Sequence, residues 1–204
     1  MEQVVNKKVY ELSKTGEIIQ TILIILGALL VPAVVPQILQ VMFGKTSWIA
    51  TNSQIIVGSI VNTALIMTGI NIKGWRKILL IATLPSLSAI GSGYIFGSLS
   101  KVTIFMVPGI WLGNFSIIML MKYLYANKGI NYVFSAIISI VVKTAIIFGV
   151  LNIWMAFSIL PNQGAVASTL RNTMGLTQAI TATIGAVISF LIIKVGFRKK
   201  EKAL

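Results

Sequence analysis

The sequence predicts an all-α, polytopic membrane protein with six transmembrane helices and both termini on the cytoplasmic side. Three observations lead there. First, the 204 residues are 56% hydrophobic and only 10% charged, whereas a soluble domain carries about 25% charged residues. Mean hydropathy is correspondingly high, +0.93. Second, the apolar residues form continuous runs of about the 20 residues that cross a ~30 Å hydrocarbon core as a helix, without the alternation of a barrel strand. Third, the cations are distributed very unevenly between successive connections.

In chain order the runs cover 17–43, 53–71, 78–99, 102–123, 131–157 and 173–197. The third is the weakest, because Gly91, Gly93 and Gly97 follow Pro85 in its second half, so it is expected to unwind or end near Gly91. Lys7, Lys8 and Lys14 precede the first run. Lys73, Arg76 and Lys77 separate the second and third, and Lys122 and Lys128 separate the fourth and fifth. Lys194, Arg198, Lys199, Lys200 and Lys202 end the sixth. The opposite side has Lys45, Lys101 and Arg171. The positive-inside rule therefore places both ends in the cytoplasm, which an even number of crossings requires. Residues 1–16 read as a cytoplasmic amphipathic segment, 17–197 as the transmembrane domain and 198–204 as a basic cytoplasmic tail. The net charge of +13 is explained by orientation and anionic headgroups, and no nucleic-acid partner is expected.

The inventory of reactive groups excludes much chemistry. There is no histidine and no cysteine, and the four carboxylates are Glu2, Glu11, Glu17 and Glu201, all near the ends. Thiolate and imidazole catalysis, disulfides and His/Cys metal sites are ruled out, as is a proton relay of paired intramembrane carboxylates. The chain is not expected to be an enzyme, and no metal or cofactor is expected. Gly44-Lys45-Thr46 imitates the end of a phosphate-binding loop, but Leu39 stands where that loop needs glycine. Gly91-Ser92-Gly93 lacks the third glycine and the βαβ setting of a dinucleotide loop.

Small residues recur at four-residue spacing: Gly93/Gly97, Gly109/Gly113, Ala145/Gly149 and Thr177/Thr181/Gly185/Ser189. Such faces let helix backbones approach closely in lipid. They serve either packing within the bundle or docking of another subunit.

The polar residues inside the spans are the most informative. Lys143 lies twelve residues beyond Asn131, roughly 18 Å along a helix axis, near the bilayer centre. A charged lysine there costs at least ~2.5 kcal/mol, and no carboxylate shares its depth. It is a neutral amine, an amine held by carbonyls and amides in a wet cavity, or an ammonium that meets an anionic ligand; the plain alternative is snorkelling to the interface. Gln54, Asn62, Asn114, Asn152 and Gln178 are further intramembrane amides, which donate and accept without a charge penalty. Asn62 is read as structural. The connection 158–172 is long and semi-polar and is expected to be a loop capping a cavity. Lys45, Lys101 and Arg171, with Lys143 below them, suit an anionic or strongly hydrogen-bonding solute.

Three local patterns, Gln54-Ile-Ile-Val-Gly58-Ser-Ile-Val-Asn62, Val107-Pro108-Gly109-Ile-Trp-Leu-Gly113-Asn114 and Val142-Lys143-Thr144-Ala145, sit in a chain of six spans with both ends inside. In this the sequence resembles the substrate-binding S component of energy-coupling-factor (ECF) transporters, a resemblance that covers the whole chain in organisation and rests on short motifs. It implies a six-helix bundle in a prokaryotic cell membrane that captures a vitamin or similar micronutrient from outside. A membrane coupling protein and cytoplasmic ATPases would be the partners that energise it. The resemblance further implies a pocket toward the outer side among spans four to six, where Asn114, Lys143, Asn152, Trp154, Arg171 and Gln178 are the substrate-binding candidates. The family's docking face is an alanine pair on the first helix; here Gly27, Ala28 and Ala33 stand around Pro32. The alternative function, from another class, is a non-transporting accessory or scaffold subunit.

Overall fold

The computed structural model describes residues 14–95 and 99–201, with no side-chain detail at 100 and 196–201. The predicted amphipathic segment up to residue 13, Gly97 and residues 202–204 lie outside the described residues. Among those described, the chain is helical throughout, without strands. The elements are α1 (Lys14–Phe43), α2 (Trp48–Thr51), α3 (Ser53–Asn71), α4 (Trp75–Ser92), α5 (Ser100–Thr103), α6 (Val107–Leu120), α7 (Tyr132–Ala156), α8 (Gly164–Met174) and α9 (Leu176–Glu201). A 3-10 turn at Ile104–Met106 joins α5 to α6, and a π-helical stretch, Met121–Asn127, extends α6.

Among the described residues, five helical stretches are long and apolar enough to cross a membrane: Lys14–Phe43, Ser53–Asn71, Lys101–Asn127, Tyr132–Ala156 and Gly164–Val195. The chain is therefore read as a membrane protein. The expected third span, 78–99, is corrected. Its helix is α4, which begins earlier with Trp75, Arg76 and Lys77 and stops at Ser92, where Gly93 takes the left-handed conformation (φ 71°) that only glycine adopts cheaply. Two cations in the first turn and the loss of the residues beyond Ser92 leave α4 short of the apolar length of the other five. At 18 residues it still extends about 27 Å.

The connection 158–172 is also corrected, because it is no simple loop. Ala167, Leu170 and Met174 are fully buried at a spacing of three and four, the signature of an amphipathic helix, and they seat α8 against Met106, Ile147 and Leu151. The expected span 173–197 correspondingly begins at Leu176, after Gly175 separates α8 from α9. Helix α7 matches expectation closely, with the Asn131 side chain capping it by accepting from the Val133 N–H at 2.9 Å.

Two apolar cores hold the bundle. One, around Leu65, Ile81, Ile117, Met121 and Ala182, lies toward the basic end. There Tyr132 stacks edge-on against Tyr125, with centroids 5.3 Å apart, and donates its hydroxyl to the Ala186 carbonyl at 2.7 Å. Also at that end, Lys122 Nζ donates to the Ile72 carbonyl at 2.7 Å, satisfying the end of α3, and Lys77 pairs with Glu17 at 3.0 Å. The second core is the α6–α7–α8 cluster around Ile147.

Small residues seat the helices between these cores. A methyl group at Gly185 of α9 would lie 2.7 Å from Asn62 Cβ and 2.8 Å from the Thr63 amide nitrogen on α3. One at Gly113 of α6 would lie 2.6 Å from Ile147 Cγ1 on α7. The faces Gly109/Gly113 and Thr181/Gly185/Ser189 thus pack inside this one bundle. Gly149 meets nothing within 4 Å of such a methyl, so its face is not used internally by the described residues.

Candidate functional site

Lys143 is set at mid-depth by α7 and turned inward: it is only 1% exposed. Its Nζ donates to Asn62 Oδ1, from the middle of α3. The asparagine is itself fixed, because its Nδ2 donates to the Gly58 carbonyl at 2.8 Å and to Thr181 Oγ1 at 3.2 Å. With both amide hydrogens engaged, Oδ1 must face the lysine. Gly185 lets α9 approach closely enough to bring Thr181 into this network. An ammonium has three N–H donors, and Asn62 is the single protein acceptor for it among the described residues. Among the described side chains no carboxylate approaches, and Glu17 is engaged with Lys77.

Beside the amine is a cavity of about 70 Å³, whose polar wall is Gln54, Asn62, Ser86, Asn114, Lys143 and Gln178. Val57, Ile110, Pro32 and Pro85 contribute the apolar wall. Asn114, 3% exposed, donates Nδ2 to the Ala82 carbonyl at 3.0 Å, and its side chain lines the space. Ser86 is committed, donating to the Thr83 carbonyl at 2.8 Å and accepting from Trp111 Nε1 at 2.7 Å. The Gln178 amide makes only a long contact, 3.5 Å, to the Thr173 carbonyl. Gln54 and Gln178 belong to the first turns of α3 and α9, so the polar wall runs from mid-bundle toward the end opposite Lys77 and Lys122. A space of this size admits a few waters or a small polyatomic anion. It is well under the ~300 Å³ at which pockets begin to enclose drug-sized molecules.

Of the six substrate-binding candidates, Asn114, Lys143 and Gln178 come together here. The other three do not. Asn152 is exposed and bonds back to Phe148 of its own helix at 2.8 Å. Trp154 ties α7 to the 3-10 turn, donating Nε1 to the Phe105 carbonyl at 2.9 Å. Arg171 is exposed and caps the preceding loop through Asn162 O at 3.2 Å. Gln54 and Asn62, which end one of the three sequence patterns and of which Asn62 is read from the sequence as structural, both line the cavity, as does Ser86, which the sequence does not single out. Equal depth was the available signal: Asn62 is central in α3 as Lys143 is central in α7.

The predicted docking face also has a definite place. Ala28 is 4% exposed and faces into the bundle, while Gly27 and Ala33 are half-buried. Gly27 and Ala28 line a groove between α1, α3 and α4. Compared with family models, curated proteins and solved structures, the chain has no match.

Proposed function

We propose that the chain is the membrane-embedded solute-capture subunit of an ECF-type micronutrient importer, crossing the bilayer six times with both ends in the cytoplasm. The sixth crossing is α4, whose length of about 27 Å suffices and whose Arg76 and Lys77 would sit at the headgroups. The ligand is a small solute, anionic or rich in acceptors. A membrane coupling protein and cytoplasmic ATPases would supply the energy, since the sequence has no nucleotide-binding loop of its own.

One observation carries this reading: Lys143 Nζ is fully buried with a single amide acceptor, on the wall of a cavity that is also lined by Gln54, Asn114 and Gln178. A buried cation without a counter-charge is costly, and an anionic guest that replaces the missing carboxylate offsets that cost. The cavity's small volume favours a compact ligand, or one that enters as α3 and α9 part at their Gln54 and Gln178 ends.

The scaffold reading rests on the same contact seen differently, because Asn62 already occupies one of the lysine's donors. Thermal unfolding of the purified protein against small carboxylates and inorganic anions, vitamins and nucleobases separates the two. A ligand that binds only the folded state stabilises it by about 2.7 kcal/mol at a hundredfold excess over Kd. Solute capture predicts a raised midpoint with at least one compound class; a flat response across the panel supports the scaffold.

A further inference from the structure

The wall of the Lys143 cavity is not equally firm on all sides. Toward α9 it is rigid. A methyl group on Gly58 would lie 2.8 Å from Thr181 Cγ2, and one on Gly185 2.7 Å from Asn62 Cβ. Two hydroxyls also cross that seam, Thr63 Oγ1 donating to the Gly185 carbonyl at 3.3 Å and Ser189 Oγ to the Thr63 carbonyl at 3.4 Å. On the opposite side the wall is made by Pro32 of α1 with Pro85, Ser86 and Ala89 of α4.

That side is built to yield. Proline has no N–H to give, so Pro32 and Pro36 each remove a rung from α1, and Pro36 leaves the Pro32 carbonyl without its helical donor. A hydroxyl from α4 stands in: Ser92 Oγ donates to Pro32 O at 3.4 Å, shared with its own Ala89 carbonyl at 3.2 Å. One turn earlier on both helices, Ser88 Oγ donates to the Leu29 carbonyl.

The two halves of α1 are held differently. Before Pro32, Ile24 and Ile25 pack against the core at the basic end, and Glu17 pairs with Lys77. Beyond Pro32, Pro36 is the one buried residue of α1, while Val34, Ile38 and Val41 are exposed. A segment with few buried apolar groups opens at low cost, and sharp bends in helices form at proline.

We propose that the half of α1 from Pro32 onward is the moving wall of the Lys143 cavity, pivoting at Pro32 and Pro36 and latched to α4 by the Ser88 and Ser92 hydroxyls. Latched, Pro32 closes the cavity; with both hydroxyls released, this half tips away from α4 and opens the cavity sideways. The inference deepens the solute-capture reading and rests on it for its purpose, since it supplies the way in for a guest. The parting of α3 and α9 at their ends is the rival route.

The chain contains no cysteine, so a single thiol reports on access. Val57 is 2% exposed and lines the cavity; Val57→Cys is close to it in size. Modification of this thiol by methyl methanethiosulfonate is timed by intact-mass spectrometry on the purified full chain in detergent. In that background, Ser88→Ala with Ser92→Ala should speed modification about tenfold or more, a few-fold for each hydroxyl bond, and Thr63→Val with Ser189→Ala, which removes two hydroxyl bonds across α3 and α9, by less than about twofold. Equal acceleration by the two pairs means that the thiol is reached by general unfolding, and overturns the proposal. Faster modification in the α3–α9 pair assigns entry to the rival route and overturns it too, as does an unchanged rate in the serine pair. Each of these results is obtained without a solute, so solute capture itself stands or falls separately, on the thermal panel.

Discussion

Asn62 and Lys143, 81 positions apart in the chain, are joined by a hydrogen bond from Nζ to Oδ1 at the centre of the bundle. The contact is directional: Gly58 and Thr181 take both amide hydrogens, so the asparagine can offer the lysine only its oxygen. One amide thus connects α3, α7 and α9 and aims a buried amine at the cavity.

Removing the acceptor should therefore cost more than removing the amine. Asn62→Leu is expected to destabilise the protein by about 3 kcal/mol, since it strands a buried amine and frees Thr181. Lys143→Met is expected to be neutral or stabilising, and the double substitution to recover most of the loss. Unfolding midpoints of the four proteins in one detergent check this, and an Asn62→Leu midpoint equal to wild type contradicts it.

The glycines divide into two kinds. Gly185→Ala pushes a methyl to 2.8 Å from the Thr63 backbone nitrogen, and Gly69→Ala to 2.5 Å from the Ile118 carbonyl oxygen. Backbone atoms cannot turn aside as side-chain ends can, so each should cost about 1–3 kcal/mol. Gly149→Ala meets nothing within 4 Å and should gain up to ~1 kcal/mol from helix propensity. Thermal unfolding of the three single variants measures the ordering.

Within the proposed site, Gln54→Leu and Gln178→Leu should each weaken a bound solute by about tenfold, the worth of one hydrogen bond of ~1.5 kcal/mol. Asn152→Ala and Arg171→Gln should leave affinity unchanged, because both side chains are exposed and bonded locally. Equilibrium binding of whichever ligand raises the unfolding midpoint is the measurement.

Trp154→Phe separates structure from binding. It removes the Nε1 bond to the Phe105 carbonyl and should cost about 1 kcal/mol of stability while affinity stays at the wild-type value. A large loss of affinity at unchanged stability would place the indole in contact with the solute.

How far the sequence reaches differs element by element. Long apolar runs define α1, α3, α6 and α7 because a helix in lipid must satisfy its own backbone, and length then leaves little choice. The end of α4 was legible in Gly91 and Gly93 but not its residue, since either glycine can take the left-handed cap. Helix α8 was hidden by polar neighbours, Gln163 and Arg171, although Ala167, Leu170 and Met174 carried its period. Lys143 announced itself by depth and by the lack of any carboxylate. Its partner did not, because the order in which helices pack is decided by contacts such as Gly185 against Asn62, which no single helix reveals. Trp154 and Arg171 are candidates by the resemblance alone; where they stand, they donate to the Phe105 and Asn162 carbonyls, contacts that only the packing of α7 and α8 creates.

The most direct test is ligand-induced stabilisation of wild type and Lys143→Met side by side, with a compact anion that raises the wild-type midpoint. Solute capture at the buried amine predicts a clear upward shift for wild type and its near-complete loss in Lys143→Met, with the unliganded variant at least as stable as wild type. An equal shift in both proteins would contradict the assignment of Lys143 to the site.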